Sequence, residues 1–210
     1  AATAATVYTR IDQVMIGSML SVDDVGIYSI SVQMVSVVAM VINPIQVSIF
    51  PRMLEWYNSN RNYYFLKYQA LTRLMSWISI FGIFLSFIFA PIFFDIFFDD
   101  SYSKSISVFK IHVLGTFFMY NAILRSSHFT LTKGTKILMI SQIAAVFVNV
   151  GLNLALIPTI GIYGAAIATI ITQFSSLFLS NMFFQNGREV FTIQLKALNP
   201  IHLFNDLKLK

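Results

Sequence analysis

Two ionisable residues, Arg10 and Asp12, lie within the first apolar stretch of this 210-residue chain. They stand about ten residues from its end, which at about 1.5 Å per helical residue places them roughly 15 Å into a bilayer. A charged residue at that depth costs about 2.5–3.5 kcal/mol on insertion scales, so it faces a bundle interior or water. An arginine there can hold an anionic group through two parallel hydrogen bonds, and an aspartate can couple transport to a cation or proton.

The helical period separates these two side chains. Arg10, Gln13 and Gly17 are spaced as i, i+3 and i+7 and share one stripe, whereas Asp12 points about 200° away from Arg10. We therefore predict that Arg10 and Gln13 line a cavity and that Asp12 bonds to a neighbouring helix. The alternative is that Arg10 pairs with an aspartate for packing alone.

Further polar residues recur in the later apolar stretches. Lys110 can contact an anion in an outward-leaning vestibule, or its ammonium group can reach the headgroups along its flexible stem. His112 points to another face and is typical of a packed or interfacial histidine. The others can bind a sugar or join helices by hydrogen bonds; they are Gln142, Asn149, Asn153, Thr169, Gln173 and Ser176. The predicted cavity residues are Arg10, Gln13, Lys110, Asn149, Asn153 and Gln173, with Asp12 as a weaker candidate for ion coupling.

The composition indicates a membrane protein. Hydrophobic residues make up 57% of the chain and charged residues 11%, against about 25% charged residues in soluble domains. Each of six stretches is long enough to cross a bilayer core of about 30 Å, and none alternates with the period of a β-barrel strand. We predict an all-α bundle of six transmembrane helices, at about 1–21, 25–50, 74–98, 106–130, 137–158 and 160–184.

The cationic residues predict the orientation. Eleven of the 14 Lys and Arg residues fall in or beside alternate gaps, which places that side in the cytoplasm; they are Arg52, Arg61, Lys67, Arg73, Arg125, Lys133, Lys136, Arg188, Lys196, Lys208 and Lys210. We predict a transmembrane lobe at 1–185 containing an amphipathic cytoplasmic segment at about 52–72. A basic cytoplasmic tail follows at 186–210. Pro44 predicts a kink, and thus a hinge, in the second helix.

Several classes of function are disfavoured. The cations lie at membrane ends and form no nucleic-acid-binding motif. The chain has no cysteine, so it offers neither a disulfide nor a thiolate metal site. No HExxH, GxSxG or P-loop motif is present, which argues against an enzyme and against ATP-driven transport. We expect no cofactor and no metal, and we expect the sequence to begin inside a longer protein, without a signal peptide.

Two motifs indicate a family. The first runs Tyr8-Thr9-Arg10-Ile11-Asp12-Gln13-Val14-Met15-Ile16-Gly17 and continues at Val25-Gly26-Ile27-Tyr28-Ser29. The second runs from Asn149 to Pro158 and continues from Gly161 to Thr169. Together they resemble the second half of Wzx-type O-antigen and polysaccharide flippases, within the multidrug/oligosaccharidyl-lipid/polysaccharide exporter superfamily.

That resemblance implies a specific activity. The chain would be the C-terminal lobe of a two-lobed transporter in the bacterial cytoplasmic membrane. Its partners would be membrane lipids, the N-terminal lobe of the same polypeptide and a lipid-linked oligosaccharide of O-antigen or lipopolysaccharide biosynthesis. The family flips such polyprenyl-pyrophosphate-linked glycans to the periplasmic leaflet by alternating access, and Arg10 stands where a cationic cavity residue is expected.

Three alternatives remain. A multidrug or cation antiporter of the same superfamily would need a deep carboxylate, and Asp12 is the candidate. A membrane glycosyltransferase or polymerase would need a large outer loop, whereas the predicted outer gaps are short. A purely structural subunit would leave Arg10 in the membrane without a purpose.

Overall fold

The computed structural model describes the backbone of residues 2–40 and 42–199 and the side chains of residues 10–40 and 44–199. Within these ranges every regular element is helical. The α-helices are α1 (Ala2–Met19), α2 (Val22–Met40), α3 (Ile42–Ser59), α4 (Arg61–Phe97), α5 (Ser103–Val113), α6 (Thr116–Leu131), α7 (Thr135–Ile160), α8 (Ile162–Gln173), α9 (Ser180–Phe183) and α10 (Arg188–Ala197). A π-helical segment at Phe174–Leu179 joins α8 to α9, and 3₁₀ turns lie at Asp100–Tyr102 and Gln185–Gly187.

The predicted all-α membrane bundle is confirmed, but fewer than the six predicted spans are clearly apolar in the described part of the chain. Five segments are long and apolar enough to cross a membrane, namely Val22–Met40, Arg61–Phe97, Asp100–Leu131, Thr135–Ile160 and Ile162–Phe183. The first predicted span forms α1, which is 18 residues long. It falls outside this group because Arg10, Asp12 and Gln13 lower its hydropathy.

The second predicted span is divided into two helices. The helix α2 ends at Met40 and α3 begins at Ile42, whereas we predicted one kinked helix across this region. Pro44 lies in the first turn of α3, where its missing N–H group has no intrahelical acceptor to lose. The break therefore precedes the proline.

The predicted amphipathic segment at 52–72 forms the end of α3 and the start of α4. The side chain of Asn60 caps α4 by accepting a hydrogen bond from the backbone N–H of Tyr63, at 3.1 Å. Met53, Tyr64 and Tyr68 turn into the core and are at most 1% exposed. The segment is thus part of the folded bundle.

The first half of the predicted tail is also folded against the bundle. The helix α10 packs on α4 and α9, with Val190, Ile193 and Ala197 buried. The remainder of the predicted tail at 200–210, which includes Lys208 and Lys210, lies outside the described residues, as does Ala1.

Two cations that we assigned to the cytoplasmic gaps lie inside helices. Arg73 in α4 and Arg125 in α6 are only 1% and 3% exposed. The guanidinium group of Arg125 donates hydrogen bonds to Asn181 at 2.7 Å, Ser141 at 2.9 Å and Ser180 at 3.1 Å. Because these neutral partners satisfy the buried group, Arg125 joins α6, α7 and α9 instead of facing the headgroups.

Helices α7 and α8 pack closely against each other. A single residue, Gly161, joins them with φ of 64° and ψ of −143°, a conformation that side chains disfavour. One turn later, a Cβ atom at Gly164 would lie 2.5 Å from the carbonyl oxygen of Leu156. The small residues that open α8 therefore permit close approach, as the sequence predicts.

Candidate functional site

A cavity of about 830 Å³ opens in the bundle. Its walls come from α1, α2, α5, α6, α7 and α8 and from the π-helical segment. The lining combines apolar residues with ten polar or charged ones, which are Arg10, Asp12, Gln13, Gln33, Ser36, His112, Ser126, Gln142, Thr169 and Gln173. Its size suits an organic ligand, since ligand pockets span about 300–1,000 Å³.

Arg10 and Gln13 lie together in this lining. Arg10 is exposed, Gln13 is half-buried, and both border the cavity. The guanidinium group of Arg10 forms no ion pair or hydrogen bond with the described residues. No hydrogen bond or ion pair joins it to the nearby Asp12 in the described part of the chain.

Asp12 is turned into the protein and is only 2% exposed. Its Oδ2 atom accepts hydrogen bonds from the Tyr28 hydroxyl at 2.8 Å and the Thr169 hydroxyl at 2.5 Å. Its Oδ1 atom accepts one from Nδ2 of Asn153 at 2.6 Å. The carboxylate thus joins α1 to α2, α7 and α8, which is the neighbouring-helix role that the spacing from Arg10 predicts.

The hydrogen bonds continue beyond Asp12 in both directions. The Nε2 atom of His112 lies 2.9 Å from the Tyr28 hydroxyl, and the two rings meet edge to face at 5.2 Å. Nδ2 of Asn153 also donates to Oδ1 of Asn149 at 3.1 Å. The Tyr28 hydroxyl has one proton, so when it donates that proton to Asp12, Nε2 of His112 is the donor to Tyr28. The result is a continuous polar network from α5 to α7.

Three residues that we predicted to line the cavity do not line it. Asn149 and Asn153 are 0% exposed, because their amides face α1 and each other. Lys110 is half-buried on α5 and lies outside the cavity lining. It is two positions from His112, about 200° around the helix, and His112 occupies the face turned towards the cavity.

Gln173 lies in the cavity wall, at the last position of α8. The π-helical segment Phe174–Leu179 begins at the next residue. Such segments are rare and frequently mark functional positions, because the wider turn redirects the side chains around it. Thr169, one turn earlier, both borders the cavity and holds Asp12.

Sequence reasoning did not assign a role to Tyr28 or Gly115. Tyr28 bridges Asp12 and His112, and these two partners lie on α1 and α5, so the pattern of its own helix does not indicate them. Gly115 separates α5 from α6 beside the cavity wall. The 3.6-residue period shows only which residues share a face of one helix. The roles of Tyr28 and Gly115 depend on contacts between helices, so this period could not predict them.

The comparisons with known proteins concern the segment that holds Arg10, Asp12 and Tyr28. The model of a family described as polysaccharide biosynthesis protein matches residues 2–56, which span α1, α2 and most of α3. No curated protein and no solved structure matches the chain. The cavity cation and the buried carboxylate therefore lie in a segment that is similar to polysaccharide biosynthesis proteins, within a multi-pass helical membrane bundle.

Proposed function

We propose that this chain is one lobe, the C-terminal one, of a flippase. In this proposal the protein moves polyprenyl-pyrophosphate-linked oligosaccharides from the cytoplasmic to the periplasmic leaflet of a bacterial inner membrane. The second lobe of the same polypeptide would close the cavity from the other side. Alternating access would follow from rocking of the lobes, with the junction near Pro44 as the hinge.

The observation that carries this proposal is the exposed Arg10 in a cavity of about 830 Å³ within a membrane bundle. A pyrophosphate moving through a membrane needs a fixed cation, and the planar guanidinium group forms two parallel hydrogen bonds with phosphate oxygens. The match of residues 2–56 to a polysaccharide biosynthesis family supports a glycan as the rest of the ligand.

We assign ion coupling to Asp12. A buried carboxylate bonded to three other helices changes those bonds when it gains a proton or a cation, so its occupancy can bias the arrangement of α1, α2, α7 and α8. Thr169 and His112 connect this network to the cavity, since both also line it. Ligand binding and ion binding would therefore influence each other.

The same carboxylate favours a second candidate function, a multidrug or cation antiporter. In that case Asp12 would bind the cationic substrate or its exchange ion. The deep burial of Asp12 and the exposure of Arg10 favour an anionic ligand. A ligand that enters the cavity would contact the guanidinium group of Arg10 more readily than the carboxylate of Asp12.

The test uses the natural full-length protein in proteoliposomes with a fluorescent polyprenyl-pyrophosphate disaccharide. Flipping is measured as loss of the fluorescence that a membrane-impermeant reagent can quench. Arg10→Gln should slow flipping at least about tenfold, since a hydrogen bond to a charged group contributes about 1.5–3 kcal/mol. The matched control is Arg52→Gln, which changes an exposed arginine of α3 outside the cavity lining.

Two results would contradict parts of this proposal. Equal flipping by the wild type and Arg10→Gln would remove Arg10 as the ligand contact. Uptake of a cationic dye such as ethidium by the same vesicles, without flipping of the glycolipid, would establish the antiporter instead.

A further inference from the structure

The carboxamide of Gln173 is buried without a hydrogen bond partner for its oxygen. The residue is 7% exposed, its Oε1 atom has no partner among the described residues, and it lines the cavity. Gln142 on α7 also lines this cavity, and its buried Nε2 atom likewise has no partner within the described ranges. Two residues of this lining therefore each carry one unpaired amide atom, an acceptor on Gln173 and a donor on Gln142.

A gap in the neighbouring span makes room for the Gln173 carboxamide. The helices α5 and α6 are interrupted at Leu114 and Gly115, in the middle of the apolar segment Asp100–Leu131. A Cβ atom at Gly115 would overlap Oε1 of Gln173. Any residue larger than glycine would thus displace the carboxamide, so the interruption and the glutamine form one structural unit.

The helix that carries Gln173 is interrupted at the same level. The π-helical segment starts at Phe174, directly after the glutamine. Two spans therefore depart from regular α-helix where this carboxamide meets the cavity. Such departures weaken the regular backbone hydrogen bonding of a membrane helix. They occur in membrane proteins only where the backbone is buried in protein or lines a cavity.

Unpaired amide atoms in such a place require an explanation. An unsatisfied buried donor or acceptor costs about 1–3 kcal/mol, and the large majority of such groups in folded proteins have a partner. Exchanging the nitrogen and oxygen of either carboxamide still leaves each one with both a donor and an acceptor. The best complement is a group that is itself both donor and acceptor, and a hydroxyl group is one.

We infer that Gln173 and Gln142 form a subsite for the hydroxyl groups of a neutral sugar, separate from the anion contact at Arg10. This inference rests on the proposed function and divides its ligand into two parts. Arg10 binds the pyrophosphate, and the two carboxamides form hydrogen bonds with the hydroxyl groups of the glycan. Gly115 positions this subsite without contacting the ligand.

The test measures binding of two probes to the natural full-length protein in nanodiscs. One probe is a polyprenyl pyrophosphate that carries a single N-acetylglucosamine, and the other is the same polyprenyl pyrophosphate without a sugar. Gln173→Met and Gln142→Met keep the side-chain length and remove the amide. Each should weaken binding of the glycosylated probe about tenfold, or about 1.4 kcal/mol, and change binding of the bare probe less than twofold.

The control variant is Thr172→Val, which removes a buried hydroxyl at the adjacent position. Thr172 is 0% exposed and lies outside the cavity lining, so this variant should bind both probes as the wild type does. Gly115→Ala provides a second route, because it displaces the carboxamide without removing it. It should reproduce the selective loss of the glycosylated probe even if Gln173→Met does not fold.

The outcomes separate this inference from the proposed function. Unchanged binding of both probes by the methionine variants and Gly115→Ala would overturn the sugar subsite and leave the flippase proposal standing. Equal weakening of both probes would also overturn it, since the carboxamides would then only shape the cavity. A wild-type protein that binds neither probe would overturn the flippase and the subsite together.

Discussion

The hydroxyl group of Tyr28 lies 2.8 Å from Oδ2 of Asp12 and donates a hydrogen bond to it. The two residues belong to successive helices, and Tyr28 is 1% exposed. The carboxylate is thus held by a side chain that also contacts His112, at 2.9 Å. The position of the buried charge on α1 therefore depends on α2 and α5.

Replacing Tyr28 with phenylalanine tests this dependence. Tyr28→Phe removes one of the donors to Asp12 and leaves Nε2 of His112 without its acceptor. We expect the free energy of unfolding to fall by about 1–3 kcal/mol, the usual cost of an unpaired buried polar group. Thermal unfolding in detergent, followed by tryptophan fluorescence, measures the change.

The control for this prediction is Tyr163→Phe. Tyr163 is half-buried, and its hydroxyl forms no hydrogen bond with any residue in the described part of the chain. Its variant should unfold within about 0.5 kcal/mol of the wild type. Equal stability of the two variants would mean that the network around Asp12 contributes nothing measurable.

Asp12→Asn tests ion coupling. The amide keeps the size of the side chain and still accepts a hydrogen bond, but it can bind neither a proton nor a cation as a carboxylate does. We expect glycolipid flipping in proteoliposomes to lose its dependence on an imposed proton or sodium gradient, while the protein still elutes as a folded species. If flipping by this variant responds to the gradient as the wild type does, Asp12 has no coupling role.

Arg125→Lys tests the buried guanidinium in α6. Arg125 bonds to three side chains and lies 5.3 Å from the ring of Phe129. A lysine ammonium is a point charge and cannot reproduce the planar fork. We expect a loss of about 1.5–3 kcal/mol in unfolding free energy, the contribution of one charge-assisted hydrogen bond.

The matched change is Arg188→Lys, at an exposed arginine whose guanidinium group donates a long hydrogen bond, of 3.4 Å, to the Met182 carbonyl. It should leave the unfolding temperature unchanged. A fall of similar size in both variants would show that Arg125 is no more important than a surface cation.

Gly164→Ala tests the contact between α7 and α8. The added methyl group would lie 2.5 Å from the Leu156 carbonyl oxygen, and backbone cannot move aside as a flexible side chain can. We expect a loss of about 1–3 kcal/mol from overpacking. The control is Gly151→Ala on α7, where a Cβ atom meets nothing within 4 Å; its thermal unfolding should match that of the wild type or occur at a higher temperature.

The sequence predicts the helical class well because long apolar stretches have one satisfactory structure in lipid. It also predicts that Arg10 and Asp12 face different ways, since both lie on one helix and obey one period. The sequence did not predict the division between α2 and α3. A proline indicates the position of a helix break only to within a few residues, and α2 ends at Met40, four residues before Pro44.

The candidate site was predicted less completely for a related reason. Asn149 and Asn153 are spaced so that they lie on one face of α7, which we interpreted as a face that lines the cavity. That face packs against α1 instead. The spacing of residues within one helix does not show which neighbouring helix a face contacts. Gln173 was found in the cavity wall by the same kind of pattern. Gly115 and Tyr28 act through contacts between distant parts of the chain, so their roles required the folded structure.

The single glycine between α7 and α8 has a consequence for biosynthesis. Gly161 leaves no slack between the two helices, so neither can settle in the bilayer while the other stays in water. We expect the segment from Thr135 to Phe183 to enter the membrane as one hairpin. Flexible residues inserted at Gly161 would lengthen this link, and we expect the two helices then to enter the membrane independently of each other.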